Sequence, residues 1–174
     1  MRIYLIGFMG AGKTSVGQSL AEKLHLEFID IDAFIKARAH NEIPDIFAQQ
    51  GEMGFRTWEA ECLRLTGQTN HAIIATGGGA PCFFDNMEWI NGNGLSIYLK
   101  VPANELFRRL SKEREKRPLI SGLSDEALNE YIASKLQDRS FFYEQAHLCA
   151  EAQRDEMDLV GELADFLGRF LPVK

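Results

Sequence analysis

Residues 7 to 14 read GFMGAGKT, and the fold turns on what lies either side of that stretch. Before it runs Ile3-Tyr4-Leu5-Ile6, a short apolar segment of the kind that forms a buried strand. After it, Lys13 to Leu24 carries Val16, Leu20 and Leu24 at four-residue spacing, one face of a helix. A strand, a loop of the form G-x-x-x-x-G-K-[ST] and a helix together make a triphosphate-binding loop. Gly7, Gly10 and Gly12 let the backbone curl so that successive N–H groups converge on an anion. The helix opening near Lys13 turns its positive dipole end to the same point. The Lys13 ammonium can reach the β- and γ-phosphates, and the Thr14 hydroxyl can ligate Mg²⁺.

Outward from this loop, strands are expected at Phe28 to Ile31, Ala72 to Ala75, Ser96 to Val101 and Leu148 to Ala150. Helical patterns separate them. The last, Glu156 to Phe170, places Leu159, Leu163, Phe166 and Phe170 on one face, with Pro172 beyond its end. Alternating strands and helices imply an α/β fold in three layers, a parallel sheet with right-handed crossovers covered on both sides. The 174 residues suit one domain, 1–174, with no internal repeat. Two connections are more than crossovers. Asp32 to His71 reads as several helices broken around Pro44 and Gly51, and could form a small lobe over residues 32–60. Residues 111–124, SKEREKRPLISGLS, are charged and then carry Pro118 and Gly122: a solvated loop or a mobile lid.

Composition narrows the partners. Nineteen Lys and Arg against 25 Asp and Glu leave a net charge of −6, which disfavours nucleic acid as a bulk partner. An acidic protein that binds an anion must focus a few cations into one site. No stretch approaches the roughly 18 apolar residues of a membrane span, and the N-terminus lacks a signal-peptide layout. Cys62, Cys82 and Cys149 have neither zinc-site nor disulfide spacing and read as small buried hydrophobes in a reducing compartment. A cytoplasmic monomer is the expectation, since no exposed heptad or sticky strand appears.

Phosphate loops serve kinases, switch GTPases and ATPases alike. No NKxD guanine-reading sequence is present, which disfavours a GTPase. The second strand ends in Asp30-Ile31-Asp32. Alternation along a strand would point both carboxylates into the crevice at its carboxyl end. One can hold hydrated Mg²⁺; the other can orient or deprotonate a hydroxyl nucleophile. In GEMGFRTWE, residues 51–59, Arg56 and Glu59 share a helix face, so Glu59 can fix the Arg56 guanidinium for a carboxylate. TGGGA, residues 76–80, offers backbone at close approach to a ligand. Arg117, stiffened by Pro118, can neutralise a transferring phosphoryl group if the loop closes. Arg139, alone in a helical stretch, reads by itself as a solvated charge.

GFMGAGKT, the DxD ending at Asp32, GExxFRxxE at 51–59, TGGG at 76–79, RPL at 117–119 and Arg139 occur in this order in shikimate kinases, and the chain resembles that family from Ile3 to its last helix. The resemblance implies a P-loop NTPase fold with a five-stranded parallel sheet of the nucleoside-monophosphate-kinase type. It implies transfer of the ATP γ-phosphoryl to the 3-hydroxyl of shikimate, giving shikimate 3-phosphate and ADP on the route to chorismate and the aromatic amino acids. By the same resemblance Gly10, Ala11, Gly12, Lys13, Thr14 and Ser15 cradle the phosphates. Thr14 binds Mg²⁺, and Asp30 reaches it through water. Asp32 binds the shikimate hydroxyls and is the base; Lys13 and Arg117 complete the catalytic set. Arg56 and Arg139 hold the shikimate carboxylate, Gly78 contributes a backbone contact, and Phe55 and Glu59 support the site. Arg117 contacts ATP from the lid, and Arg109 packs on adenine. One departure lies in the adenine loop. Family members often carry D-T with a proline further on, whereas this chain reads Glu151-Ala152-Gln153-Arg154-Asp155. That loop holds adenine mostly through backbone, so ATP binding should survive, with Arg154 the candidate stacking side chain. A gluconate-type kinase would lack the FRxxE and TGGG pairing, and a non-catalytic ATP-binding module would have lost Asp32, Lys13 or Arg117.

Overall fold

The strand Arg2–Ile6 (β1) is apolar on both faces, and Ile3, Tyr4, Leu5 and Ile6 are fully buried, as a central parallel strand requires. In the computed structural model, which describes residues 1–152 and 156–170 apart from the Lys116 side chain, four more strands join it. They are Glu27–Asp30 (β2), Ala72–Ala75 (β3), Leu95–Lys100 (β4) and Leu148–Glu151 (β5). All pairs are parallel, in the order β2-β3-β1-β4-β5. The register sets Leu5 beside Ala75 and Ile97, so the carboxyl ends of the three inner strands open on one side. The chain runs from β1 to one edge and later from β3 to the other, and such a reversal is where α/β sheets leave a crevice for ligands.

Among the described residues six α-helices connect the strands, Lys13–Leu24 (α1), Ile31–Ala39 (α2), Ile43–Leu65 (α3), Asn86–Asn93 (α4), Ala103–Leu110 (α5) and Asp125–Tyr143 (α6), and a seventh, Glu156–Gly168 (α7), follows β5. The helix starts follow from side chains at their caps. Asp30 caps α2 by accepting from the Ala33 amide, and Ser124 caps α6 by accepting from the Ala127 amide. The expected breaks at Pro44 and Gly51 are both present. Pro44 sits in the first turn of α3, where its missing N–H costs nothing. Gly51, at φ 68° and ψ −176°, bends that helix in two. Residues 111–124 form a chain of turns with a single 3₁₀ turn at Arg114–Lys116. Ile120 is fully buried, and Arg114 is tied to the Leu123 carbonyl and the Asp125 carboxylate.

Two expectations need correction. The last helix stops at Gly168, and its buried face is Leu159, Val160, Leu163, Ala164 and Leu167. Phe166 and Phe170 stay exposed and lean on each other at 5.3 Å, because the buried arc is centred toward Val160 and Ala164 rather than on Phe166. Pro172 lies outside the described residues. The cysteines are not alike: Cys62 is buried and Cys82 half-buried, but Cys149 is exposed because β5 is an edge strand with one face to solvent.

Candidate active site

The loops after the carboxyl ends of the strands enclose a cleft of about 790 Å³. Gly10, Gly12, Lys13, Thr14, Ser15, Asp30, Asp32, Phe55, Arg56, Glu59, Gly78, Arg109, Arg117 and Arg139 all line it, whereas Gly7 and Ala11 do not. Ala11 is buried behind the phosphate loop, its amide donating to the Phe8 carbonyl at 3.1 Å. At one end lies that loop, with Gly7, Gly10 and Gly12 at φ 140°, 80° and 89°, values that exclude ordinary side chains. The Lys13 ammonium is buried and donates to the Gly7 and Phe8 carbonyls at 2.8 and 2.9 Å. Burial pushes its pKa down to about 8, and Arg117 adds to this against the opposing pull of Asp32, Asp30 and Glu59. Ser15 turns its hydroxyl to the Gly12 carbonyl at 3.1 Å. Arg109 bridges the phosphate loop and the end of β5. Nη1 donates to the Gly10 carbonyl and Nη2 to the Ala152 carbonyl, both at 3.2 Å, while Glu105 accepts from Nε at 2.6 Å. Gln153, Arg154 and Asp155 lie outside the described residues.

Asp30 and Asp32 reach the cleft by a route other than strand alternation. β2 ends at Asp30, and Ile31 already begins α2. The pair therefore occupies a helix cap and first turn, a start made possible by the Asp30 side chain itself. Asp30 Oδ1 accepts from the Ala33 amide at 3.1 Å, and Oδ2 accepts from the Thr14 hydroxyl at 2.8 Å. Two hard oxygens thus stand together beside the phosphate loop. Burial, with Asp30 nearby, pushes the Asp32 carboxyl above the usual carboxylate range; Lys13, Arg117 and Arg56 all pull it back. Asp32 lies within the field of all three cations.

The other end of the cleft is built around two buried arginines. Arg56 is 2% exposed and Arg139 6%. Arg56 Nη1 donates to Glu59 Oε2 at 2.8 Å, the pair expected from their spacing, but here with no solvent access to Glu59 at all. Burial outweighs Arg56 at Glu59, so that carboxyl is pushed up to about 7. The Arg56 guanidinium lies 4.5 Å from the Phe83 ring and 5.2 Å from that of Phe55. Arg139, whose position on a helix read as solvated, lies against the Phe8 ring at 5.5 Å, and its Nη1 is buried without a partner. It faces the cleft because α6 carries Tyr143 one turn on, and the Tyr143 hydroxyl anchors that turn to the Gly78 carbonyl.

The glycines of TGGGA make these approaches possible. A Cβ on Gly77 would stand 1.9 Å from Glu59 Oε1, one on Gly78 2.7 Å from the Met9 amide nitrogen, and one on Gly79 2.6 Å from Arg56 Nη2. Three residues to which the sequence reading assigns no role also hold the site. Tyr143 is one; the others are Glu52, which accepts from Arg56 Nη2 at 2.9 Å, and Glu105. Both acids stand four residues before their arginine, a spacing that could have signalled them. Arg117, partly exposed, donates from Nη2 to Glu113 Oε2 at 2.9 Å.

A parallel sheet with this strand order, a phosphate loop after β1 and a basic pocket across the cleft define a P-loop phosphotransferase acting on a small anionic molecule. The shikimate kinase family model matches residues 9–167, and the chain belongs to that family. It is 44% identical over 153 residues to a shikimate kinase of Parabacteroides distasonis, covering 88% of each chain. The crystal structure of shikimate kinase from Bacteroides thetaiotaomicron superposes with a TM-score of 0.90 at 39% identity, over 97% of this chain and 98% of that one. Shikimate kinase from Acinetobacter baumannii in complex with shikimate gives a TM-score of 0.88 at 35% identity, over 98% and 95%.

Proposed function

We infer that this chain transfers the γ-phosphoryl of ATP to the 3-hydroxyl of shikimate, giving shikimate 3-phosphate and ADP, and that the cleft residues divide the work as follows. The observation that carries the assignment of roles is the pair of buried arginines, Arg56 and Arg139, in a protein of net charge −6. Buried guanidinium groups with unpartnered donors suit a planar carboxylate. Asp32, under the influence of Arg56 on one side and Lys13 on the other, is suited to accept the proton of the attacking hydroxyl, and its raised pKa makes it a better base than a solvated aspartate. Lys13 turns from the Gly7 and Phe8 carbonyls to the β- and γ-phosphates. Arg117 offsets charge on the group in transfer.

Thr14 and Asp30 fit a Mg²⁺ site, since they join two oxygens at 2.8 Å beside the phosphate loop. Among the described residues no three His, Cys, Asp or Glu side chains gather as a metal cage, which suits an ion that takes few protein ligands and keeps its waters. When bound, Mg²⁺ would neutralise phosphate charge. Residues 32–60 serve as the substrate lobe and 111–124 as the lid, supported by the cleft contacts of Arg56 and Arg117. The chain acts as a cytoplasmic monomer, where the exposed Cys149 thiol stays reduced.

ADP release by the purified protein, with Mg-ATP and with shikimate, gluconate or a nucleoside monophosphate, tests this. Release should require shikimate and stop with EDTA. Asp32→Ala should abolish turnover while ATP still binds; turnover retained by that variant would remove Asp32 from the proton transfer.

A further inference from the structure

Arg56 already holds two carboxylates, and they differ in kind. Glu59, fully buried, takes Nη1, and the close approach of Gly77 seals it in place. Glu52 takes Nη2, and its side chain is 46% exposed. Nε is buried without a partner. One nitrogen thus serves a fixed acid, one a half-exposed acid, and one none. A ligand carboxylate that forks onto Nε and Nη2 would satisfy the orphan and meet Glu52 at the other tooth. A third carboxylate on a guanidinium that already holds two adds repulsion, and half-exposed Glu52 is the one free to leave. It is also the first residue after Gly51, whose φ of 68° and ψ of −176° break α3. The residue that must swing away lies next to the joint that permits it.

We propose that Glu52 is a placeholder carboxylate. It occupies Nη2 of Arg56, is exchanged for the substrate carboxylate on entry, and so sets the threshold of affinity an anion must exceed to bind. The inference rests on Arg56 as the carboxylate receptor. With Glu52 in place, Arg56, Glu59 and Glu52 present one cation against two acids, so a passing anion gains little. An intramolecular carboxylate competes at high effective concentration. A small anion with a single contact does not displace it. A substrate that also engages Arg139 and Asp32 does. Glu52 is therefore a positioning and specificity residue rather than a catalytic one.

The test compares wild type, Glu52→Gln and Glu52→Ala on shikimate and on its uncharged methyl ester, at saturating Mg-ATP, with acetate as a competing anion. The alanine variant is needed because a glutamine oxygen can still accept from Nη2. Both variants should lower the KM for shikimate, roughly two- to fivefold for a half-exposed ion pair removed from competition. The KM for the ester should shift less, and acetate should inhibit more strongly. A shikimate KM that is unchanged or raised, or an equal shift for acid and ester, would overturn the proposal and make Glu52 a prop for Arg56. Arg56→Ala separates the two ideas. If wild type does not favour acid over ester, or that variant keeps the preference, Arg56 is not the receptor and both readings fall together.

Discussion

Lys13 shows what the site demands of a single residue. Its ammonium is buried, and the groups that accept its protons are the carbonyls of its own loop. Burial holds its pKa at about 8 against an ordinary 10.5, so the folded protein binds this proton less tightly than the unfolded chain does. A group depressed in this way adds stability above its ordinary pKa and loses that contribution as pH falls through about 8. Triphosphate reverses the sign, because an anion at the loop favours the charged form. Nucleotide binding should therefore take up a fraction of a proton near pH 8, and affinity should fall as pH rises through that value. Calorimetry of nucleotide binding in buffers of different ionisation enthalpy measures this directly. Identical heats in all buffers at pH 8 would show that Lys13 does not change its protonation on binding.

At the scale of elements, much of the site was legible because its motifs are local. The phosphate loop needs its glycines and lysine within one turn, and Arg56 and Glu59 need only helical spacing. What was not legible depends on distant packing. Taken by itself, Arg139 reads as solvated because nothing in its own helix says that the Phe8 ring lies against it or that Tyr143 ties that helix to Gly78. Asp30 and Asp32 were placed together for the wrong reason, because an Asp that ends a strand can equally start a helix, and here it does. The glycine run was read as ligand-facing backbone, while its three members also clear Glu59, the Met9 amide and Arg56. Gly77→Ala should thus raise the shikimate KM more than the ATP KM, since its clash falls on the acid that orients Arg56. Equal effects on both constants would mean that the clash is relieved elsewhere. Gly51 gives the opposite case. Nothing lies within 4 Å of a Cβ there, so only its backbone angles matter. Gly51→Ala should cost about 1–3 kcal/mol of stability in denaturant unfolding, for strain alone. An unchanged midpoint would show that α3 can straighten through this position.

Across the whole molecule, the sheet holds one half of the site still while the helical connections carry the other half. Lys13, Thr14 and the glycines follow β1 and β3, the buried centre of the fold. Arg56 stands on α3 beyond the break at Gly51, and Arg117 stands on the turns of residues 111–124. Those turns are tethered rather than loose. Ile120 is buried, and backbone bonds run from the Arg117, Ile120 and Ser121 amides to carbonyls within the segment. If the segment closes as the proposed lid, it would move as a tethered unit held at Ile120, with Arg117 leaving Glu113 for the cleft. Either ligand alone would leave part of the cleft wet and closure weakly biased. Nucleotide and shikimate together would supply charge for Arg117 and fill the space beneath it. Hydrogen exchange should accordingly slow in residues 111–124 when both ligands are bound, by more than the sum of their separate effects, with the amides of Arg117 and Ser121 most affected. A non-hydrolysable nucleotide with shikimate allows the measurement without turnover. Protection that is merely additive, or that spares this segment, would show that its turns do not move with substrate and that Arg117 acts from where it already stands.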